Sequence, residues 1–111
     1  NNGGFIQIRH SLEKYLNNDI KGISLKVRGN GEKYYIFIRT TSTLLPWQFY
    51  NASFKTSKNW QVVKINLQAF QPSSSFLRKT IKSSSIKSIG IVAYGRDHEA
   101  KIDISEIYFF K

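Results

Sequence analysis

The sequence has no cysteine and only two histidines, His10 and His98, among its 111 residues. The missing thiols exclude disulfides and thiolate chemistry, and they favour a reducing compartment. Neither histidine has a second histidine or a cysteine at metal-ligand spacing, so no zinc site and no metal cofactor are expected. No G-x-S-x-G elbow and no glycine-rich phosphate loop occurs, since the "GNGEK" stretch opens no helix. No apolar run approaches the roughly 20 residues that cross a bilayer as a helix. No signal-peptide pattern opens the chain. It starts on "NNGGFIQIRH", which reads as a turn running into a strand, and a fragment is expected.

Acidic residues are also scarce. Seven face seventeen Lys and Arg, a formal net charge of +10. Such an excess favours polyanions or acidic protein surfaces. The basic residues are spread along the chain with no block of five like charges, which also fits a solvated basic surface.

Strand signals are what the sequence does have. Hydrophobic content is 41% and aromatics reach 14%. Alternation predicts strands at Gly4–Arg9, Gly22–Arg28, Lys33–Thr40, Trp47–Lys55, Trp60–Leu67, Ile86–Tyr94 and Ala100–Phe109. "GNGE" (29–32) reads as a hairpin turn, because Asn-Gly supplies the positive φ angles of primed turns. "TSKN" (56–59) and "GRDHE" (95–99) read as two more hairpin tips. Residues 11–20 fit either a short helix or an irregular loop. The serine-rich connection 68–85 is expected to dock through Phe76, Leu77 and Ile81. Hairpins at short spacing predict one antiparallel β-sandwich domain over 1–111, with a barrel as the alternative.

Candidate chemistry is thin. Asp97-His98-Glu99 reads as a solvated hairpin tip or as a catalytic or cation-binding loop. Asp103 and Glu106, at odd spacing on a strand, are expected on opposite faces, which gives no acid/base pair. Asp103 with loop carbonyls is a possible calcium ligand set. "NAS" (51–53) matches a glycosylation sequon but lies inside a strand.

The alternation does define a second face. With Ile23, Leu25, Val27, Tyr34, Ile36, Ile38, Tyr50, Ala52, Phe54, Val63, Ile65 and Leu67 inward, the outward set contains Lys26, Arg28, Tyr35, Phe37, Arg39, Phe49, Asn51, Trp60, Val62 and Lys64. Rings, an amide and cations interleaved on one surface suit a protein partner, a sugar or a base. The other reading is a face covered by another part of the protein.

Several stretches, in order, resemble the complex I intermediate-associated protein family: "NNGGF", "GISLKVRGNGEKYYIFIRT", "YNASFKT", "WQVVKINLQAFQP" and "IKSIGIVAYGRDHEAKIDISEIYFF". Gly22, Leu25, Val27, Arg28, Gly29, Gly31 and Tyr34 fill the family's first motif, with Arg39 downstream. Tyr50, Ala52, Ser53 and Phe54 fill the second, and Trp60, Gln61, Val63, Phe70 and Pro72 the third. Ile86, Ser88, Ile89 and Gly90 fill the last. Asn30 stands where the family usually has aspartate, Asn66 where it has proline, and a further N-terminal segment of the family has no counterpart. The resemblance implies a galactose-binding-like jelly roll similar to carbohydrate-binding modules. It implies a non-catalytic assembly or chaperone-like scaffold for respiratory complex I. Relatives in photosynthetic organisms are linked to RNA or photosystem biogenesis. The expected compartment is the cytoplasm in a bacterium and the mitochondrial matrix or plastid in a eukaryote. A protein partner is expected first, with carbohydrate or nucleic acid as alternatives.

Overall fold

A computed structural model describes residues 20–93 and 101–111, together with the backbone of 5–8. Residues 11–19 of the segment 11–20, expected as a short helix or an irregular loop, both histidines and the Asp97-His98-Glu99 cluster lie outside the described residues. Eight strands follow one another: β1 (Phe5–Ile8), β2 (Gly22–Gly29), β3 (Lys33–Thr40), β4 (Tyr50–Lys55), β5 (Gln61–Asn66), β6 (Gln71–Pro72), β7 (Ile86–Val92) and β8 (Ile102–Phe110). Short 3₁₀ turns at Leu67–Ala69 and Ser83–Ser85 are the helical elements among the described residues.

The strands form two antiparallel sheets, one of order β1-β7-β3-β4-β6 and one of order β5-β2-β8. Pro72 sits in a two-residue edge strand, where its missing N–H costs no ladder bond. The predicted inward residues do point inward. Ile23, Leu25 and Val27 from one sheet and Tyr34, Ile36, Ile38, Tyr50 and Phe54 from the other share one buried cluster, with Ala52, Val63 and Ile65 packed against it. Leu77 and Ile81 from the 68–85 connection are buried with them, as is Phe70. Phe76 is not: it projects into solvent, contrary to expectation.

The pairing expected around the turns is wrong at all three sites. β2 pairs with β5 and β8, not with β3. β4 pairs with β3 and β6, not with β5. β7 pairs with β1 and β3, not with β8. Each supposed hairpin is therefore a crossing from one sheet to the other. The turn at 29–32 shows why. A primed turn centred on Asn30 and Gly31 needs positive φ at Asn30, at both residues for type I′ and at the first for type II′, yet Gly31 is the one residue there with positive φ (84°), and Asn30 stays outside that region. Instead, Asn30 Oδ1 accepts from the Glu32 N–H (3.3 Å) and the Tyr34 hydroxyl (2.9 Å).

The crossings are tied together at one end of the sandwich. The Gly29 N–H donates to the Ser57 carbonyl at 2.7 Å, and the Thr56 N–H and hydroxyl both donate to the Glu32 carbonyl. Tyr34 Oη accepts from the Lys101 N–H at 2.9 Å and lies 3.2 Å from the Lys101 carbonyl. A Cβ on Gly29 would lie 2.7 Å from Thr56 Oγ1, so the close approach of two crossings depends on glycine there.

Candidate functional site

The ten residues expected on one surface divide between two. Lys26, Arg28, Trp60, Val62 and Lys64 lie on the outer face of the three-stranded sheet. Tyr35, Phe37, Arg39, Phe49 and Asn51 lie on the outer face of the five-stranded sheet. The expected side of each strand is correct, but the strands sit in opposite layers.

The three-stranded face is built in rows across β5, β2 and β8. Lys26 is flanked by Val62 and Glu106, Ser24 by Lys64 and Tyr108, and Gly22 by Asn66 and Phe110. Arg28 sits opposite Asp103, its Nε donating to Oδ2 at 2.9 Å, with its guanidinium carbon 4.7 Å from the centre of the Trp60 ring. Lys64 Nζ lies 5.6 Å from the centre of the Phe110 ring. A Cβ on Gly22 would collide with that ring, so Phe110 lies across the glycine.

Asp103 and Glu106 share this face, correcting the expectation of opposite faces. The register shifts between Lys26 and Val27: Lys26 pairs with Glu106 but Val27 pairs with Ile104, so Ser105 is the extra residue of a β-bulge. The bulge turns both Ile104 and Ile107 toward the core and both carboxylates outward. Asp103 is engaged with Arg28. Asp103, Glu106, Tyr108 and Phe110 were absent from the face expected from sequence. Isoleucines at 104 and 107, at odd separation, are the signal that a bulge intervenes.

Three apolar side chains remain open to solvent on this face: Val62 at 60%, Tyr108 at 51% and Trp60 at 41%. Its cations Lys26, Arg28 and Lys64 alternate with Asp103 and Glu106, so it is a mixed surface and not a basic track.

The five-stranded face carries a row of rings. Phe37 stacks on Phe49 with centroids 4.2 Å apart and planes at 11°, and Tyr35 meets Phe37 edge-on at 6.5 Å. Small neighbours flank the row: Ser53 pairs with Tyr35, and Asn51 and Gly90 with Phe37. The rings are half-buried. Polar groups here are used internally. Arg39 donates to the carbonyls of Thr43 (2.9 Å), Leu45 (3.2 Å) and Pro46 (3.3 Å), and Asn51 Nδ2 donates to the Gln71 carbonyl at 3.2 Å.

Elsewhere, an open pocket of about 430 Å³ lies among Lys21, Asn66, Leu67, Thr80 and Lys82. Among the described residues no three His, Cys, Asp or Glu side chains cluster as metal ligands, and no helix is long and apolar enough to cross a membrane. Burial holds the Tyr50 phenol above its ordinary value, against smaller lowering effects of a hydrogen bond with Ser42 and the charge of Arg78.

Comparison with protein families matches residues 1–104 to the family described as Complex I intermediate-associated protein 30 (CIA30). No curated protein matches the chain. Among solved structures, the chain is similar to the Family 11 carbohydrate-binding module from Clostridium thermocellum, determined with a β-1,3-1,4-mixed-linked tetrasaccharide. The TM-score is 0.71 at 14% identity, covering 96% of this chain and 66% of that one. The chain thus spans just under two thirds of that module's length. At this identity the likeness establishes the fold, a galactose-binding-like jelly roll.

Proposed function

The chain belongs to the Complex I intermediate-associated protein 30 family, and from that membership we propose that it is a non-catalytic binding module that docks on an assembly intermediate of respiratory complex I. The contact surface in this reading is the outer face of the three-stranded sheet.

The observation that carries the reading is Trp60 and Val62 on the β5 side of β2 and Tyr108 on its β8 side, all open to solvent on the face where Arg28 is already clamped by Asp103. Only exposed area can be removed from water on binding, and burying a large apolar side chain contributes about 1.5–3 kcal/mol. Trp, Tyr and Arg are the residues enriched at interface hot spots. Holding Arg28 on Trp60 in the free protein spares about 0.5–1.5 kcal/mol of ordering per side chain when a partner arrives. Val62 offers a sugar hydroxyl no hydrogen bond, and the ring of Phe110 already has a cation over it.

Carbohydrate binding at the five-stranded face is the second reading. The ring row of Tyr35, Phe37 and Phe49 favours it, with the small residues beside it leaving room for a stacked ligand. It ranks lower because Arg39 and the Asn51 amide donate within the protein. Nucleic-acid binding rests on the net charge alone, and it would show a steep loss of affinity with salt.

The test uses the full chain, tagged and incubated with detergent-solubilised membranes of its source cells. Capture of complex I assembly intermediates on native gels, with no retardation of the chain in gels containing mixed-linked β-glucan, is expected. Retardation by the glucan without capture would replace this reading with the second.

A further inference from the structure

At the far edge of the five-stranded sheet, two neighbouring loops display large apolar side chains to solvent. The β3–β4 connection carries Leu44 (81% exposed), Leu45 and Trp47 (64%), and the segment after β6 carries Phe76 (92%). The loops are firmly built. Arg39 holds the carbonyls of Thr43, Leu45 and Pro46. The Leu45 N–H donates to Gln48 Oε1 at 3.0 Å, and the Gln48 N–H returns a bond to the Leu45 carbonyl at 2.9 Å. Ser73 joins the loops: its hydroxyl donates to the Trp47 carbonyl (2.8 Å) and accepts from the Phe49 N–H (3.0 Å). Buried Leu77, and a bond from the Tyr50 hydroxyl to the Arg78 carbonyl at 2.7 Å, anchor the second loop just past Phe76.

The charge carried by these two loops themselves has one sign. No aspartate or glutamate occurs in sequence between Glu32 and Asp97, while Arg78, Lys79 and Lys82 follow Phe76 and are exposed. Side chains this exposed are tips and not the walls of a groove. A rigid protein partner would need a separate pocket for each, whereas the headgroup layer of a bilayer closes around any protrusion. Tryptophan is favoured at that depth, and basic residues beside it gain from anionic headgroups.

We propose that Leu44, Trp47 and Phe76 form an interfacial anchor that inserts into the headgroup region of an anionic lipid bilayer, with Arg78, Lys79 and Lys82 on the lipid phosphates. The anchor is distinct from the three-stranded face, so lipid and protein can be engaged together. Each basic side chain near the surface contributes about fivefold in partitioning, and each buried ring about tenfold or more. Binding of this size is reversible.

Co-flotation of the full chain with vesicles tests it, comparing phosphatidylcholine alone with an equimolar mixture of phosphatidylcholine and phosphatidylserine. The chain is expected to float with the mixed vesicles at least about tenfold better. Trp47→Ser and Phe76→Ser should each lower that flotation about tenfold. Both positions are exposed, and an unchanged urea midpoint shows that the fold survives. In a Trp60→Phe background, Trp47 emission should shift to the blue on the mixed vesicles. The proposal is overturned by no flotation with either vesicle, by equal flotation with both, by flotation that survives both substitutions, or by Trp47 emission that does not move.

Discussion

Arg28 and Phe37 point away from each other, on the outer faces of opposite sheets, although one short turn separates their strands. The core lies between them, with Val27 and Ile36 both fully buried. Arg28→Ala and Trp60→Ala should therefore couple in a double-mutant cycle by about 0.5–1 kcal/mol, the scale of a cation–ring contact. Phe37→Ala and Trp60→Ala should add within about 0.5 kcal/mol, as distant sites do. Urea denaturation of the single and double variants reads both numbers. Strong coupling between Phe37 and Trp60 would mean that they share a surface.

Tyr34 closes the sandwich where the crossings meet. Tyr34→Phe removes the hydroxyl that bonds Asn30 and leaves the Lys101 N–H without that acceptor. A loss of about 0.5–1.5 kcal/mol is expected, the net contribution of a typical intramolecular hydrogen bond. Hydrogen exchange at Lys101 should accelerate in the same variant. A stability within about 0.5 kcal/mol of the parent would show that the bond does not hold the crossings together.

Gly22 is a steric requirement of the three-stranded face. A methyl group there would run into the Ile65 carbonyl oxygen and the Phe110 ring. The ring can swing aside, but the carbonyl belongs to the paired neighbour strand. Gly22→Ala should destabilise by about 1–3 kcal/mol, the usual range for overpacking. An equally stable alanine variant would place Phe110 elsewhere.

Tyr50 gives the fold an alkaline limit. Its folded pKa is raised above the ordinary 10.0 by burial. A raised pKa means that the neutral phenol is favoured in the native state. The resulting stability is fully present below the unfolded value and is lost as pH rises through the folded one. Tyr50→Phe also removes the bond to the Arg78 carbonyl, so it should be less stable near neutrality by about 0.5–1.5 kcal/mol. Its stability should fall less than the parent's as pH climbs above 10.0. Denaturant midpoints across that interval measure the difference, and parallel decline of the two proteins would contradict it.

Much of the fold can be read from residue alternation. Tyr34, Ile36 and Ile38 in β3, and Ile23, Leu25 and Val27 in β2, are inward where the period of two puts them. Alternation cannot tell a hydrogen-bonded neighbour from a strand across the core, because both present the same residues to it. Asn-Gly at 30–31 suggested neighbours, yet only Gly31 takes the left-handed conformation and the chain crosses over. The bulge at Ser105 was hidden for a similar reason: a strict period of two puts Asp103 and Glu106 on opposite faces, and one unpaired residue puts them on the same face. The candidate site was thus legible in its residue types and not in its grouping. Trp47 was read as part of a strand, but β4 starts at Tyr50, which leaves Trp47 in an exposed loop.

The most direct test of the proposed contact face is capture of complex I assembly intermediates by folded variants of its two faces, compared at low and high salt. Trp60→Ala should weaken capture by about 2 kcal/mol, roughly thirtyfold, as removal of a hot-spot ring does. Lys26→Ala and Lys64→Ala should cost about 0–1 kcal/mol and only at low salt. Phe37→Ala, at matched stability, should leave capture unchanged. Capture that survives Trp60→Ala and collapses with Phe37→Ala would move the contact to the five-stranded face. Capture lost through the lysines and through salt alone would contradict an apolar contact on either face.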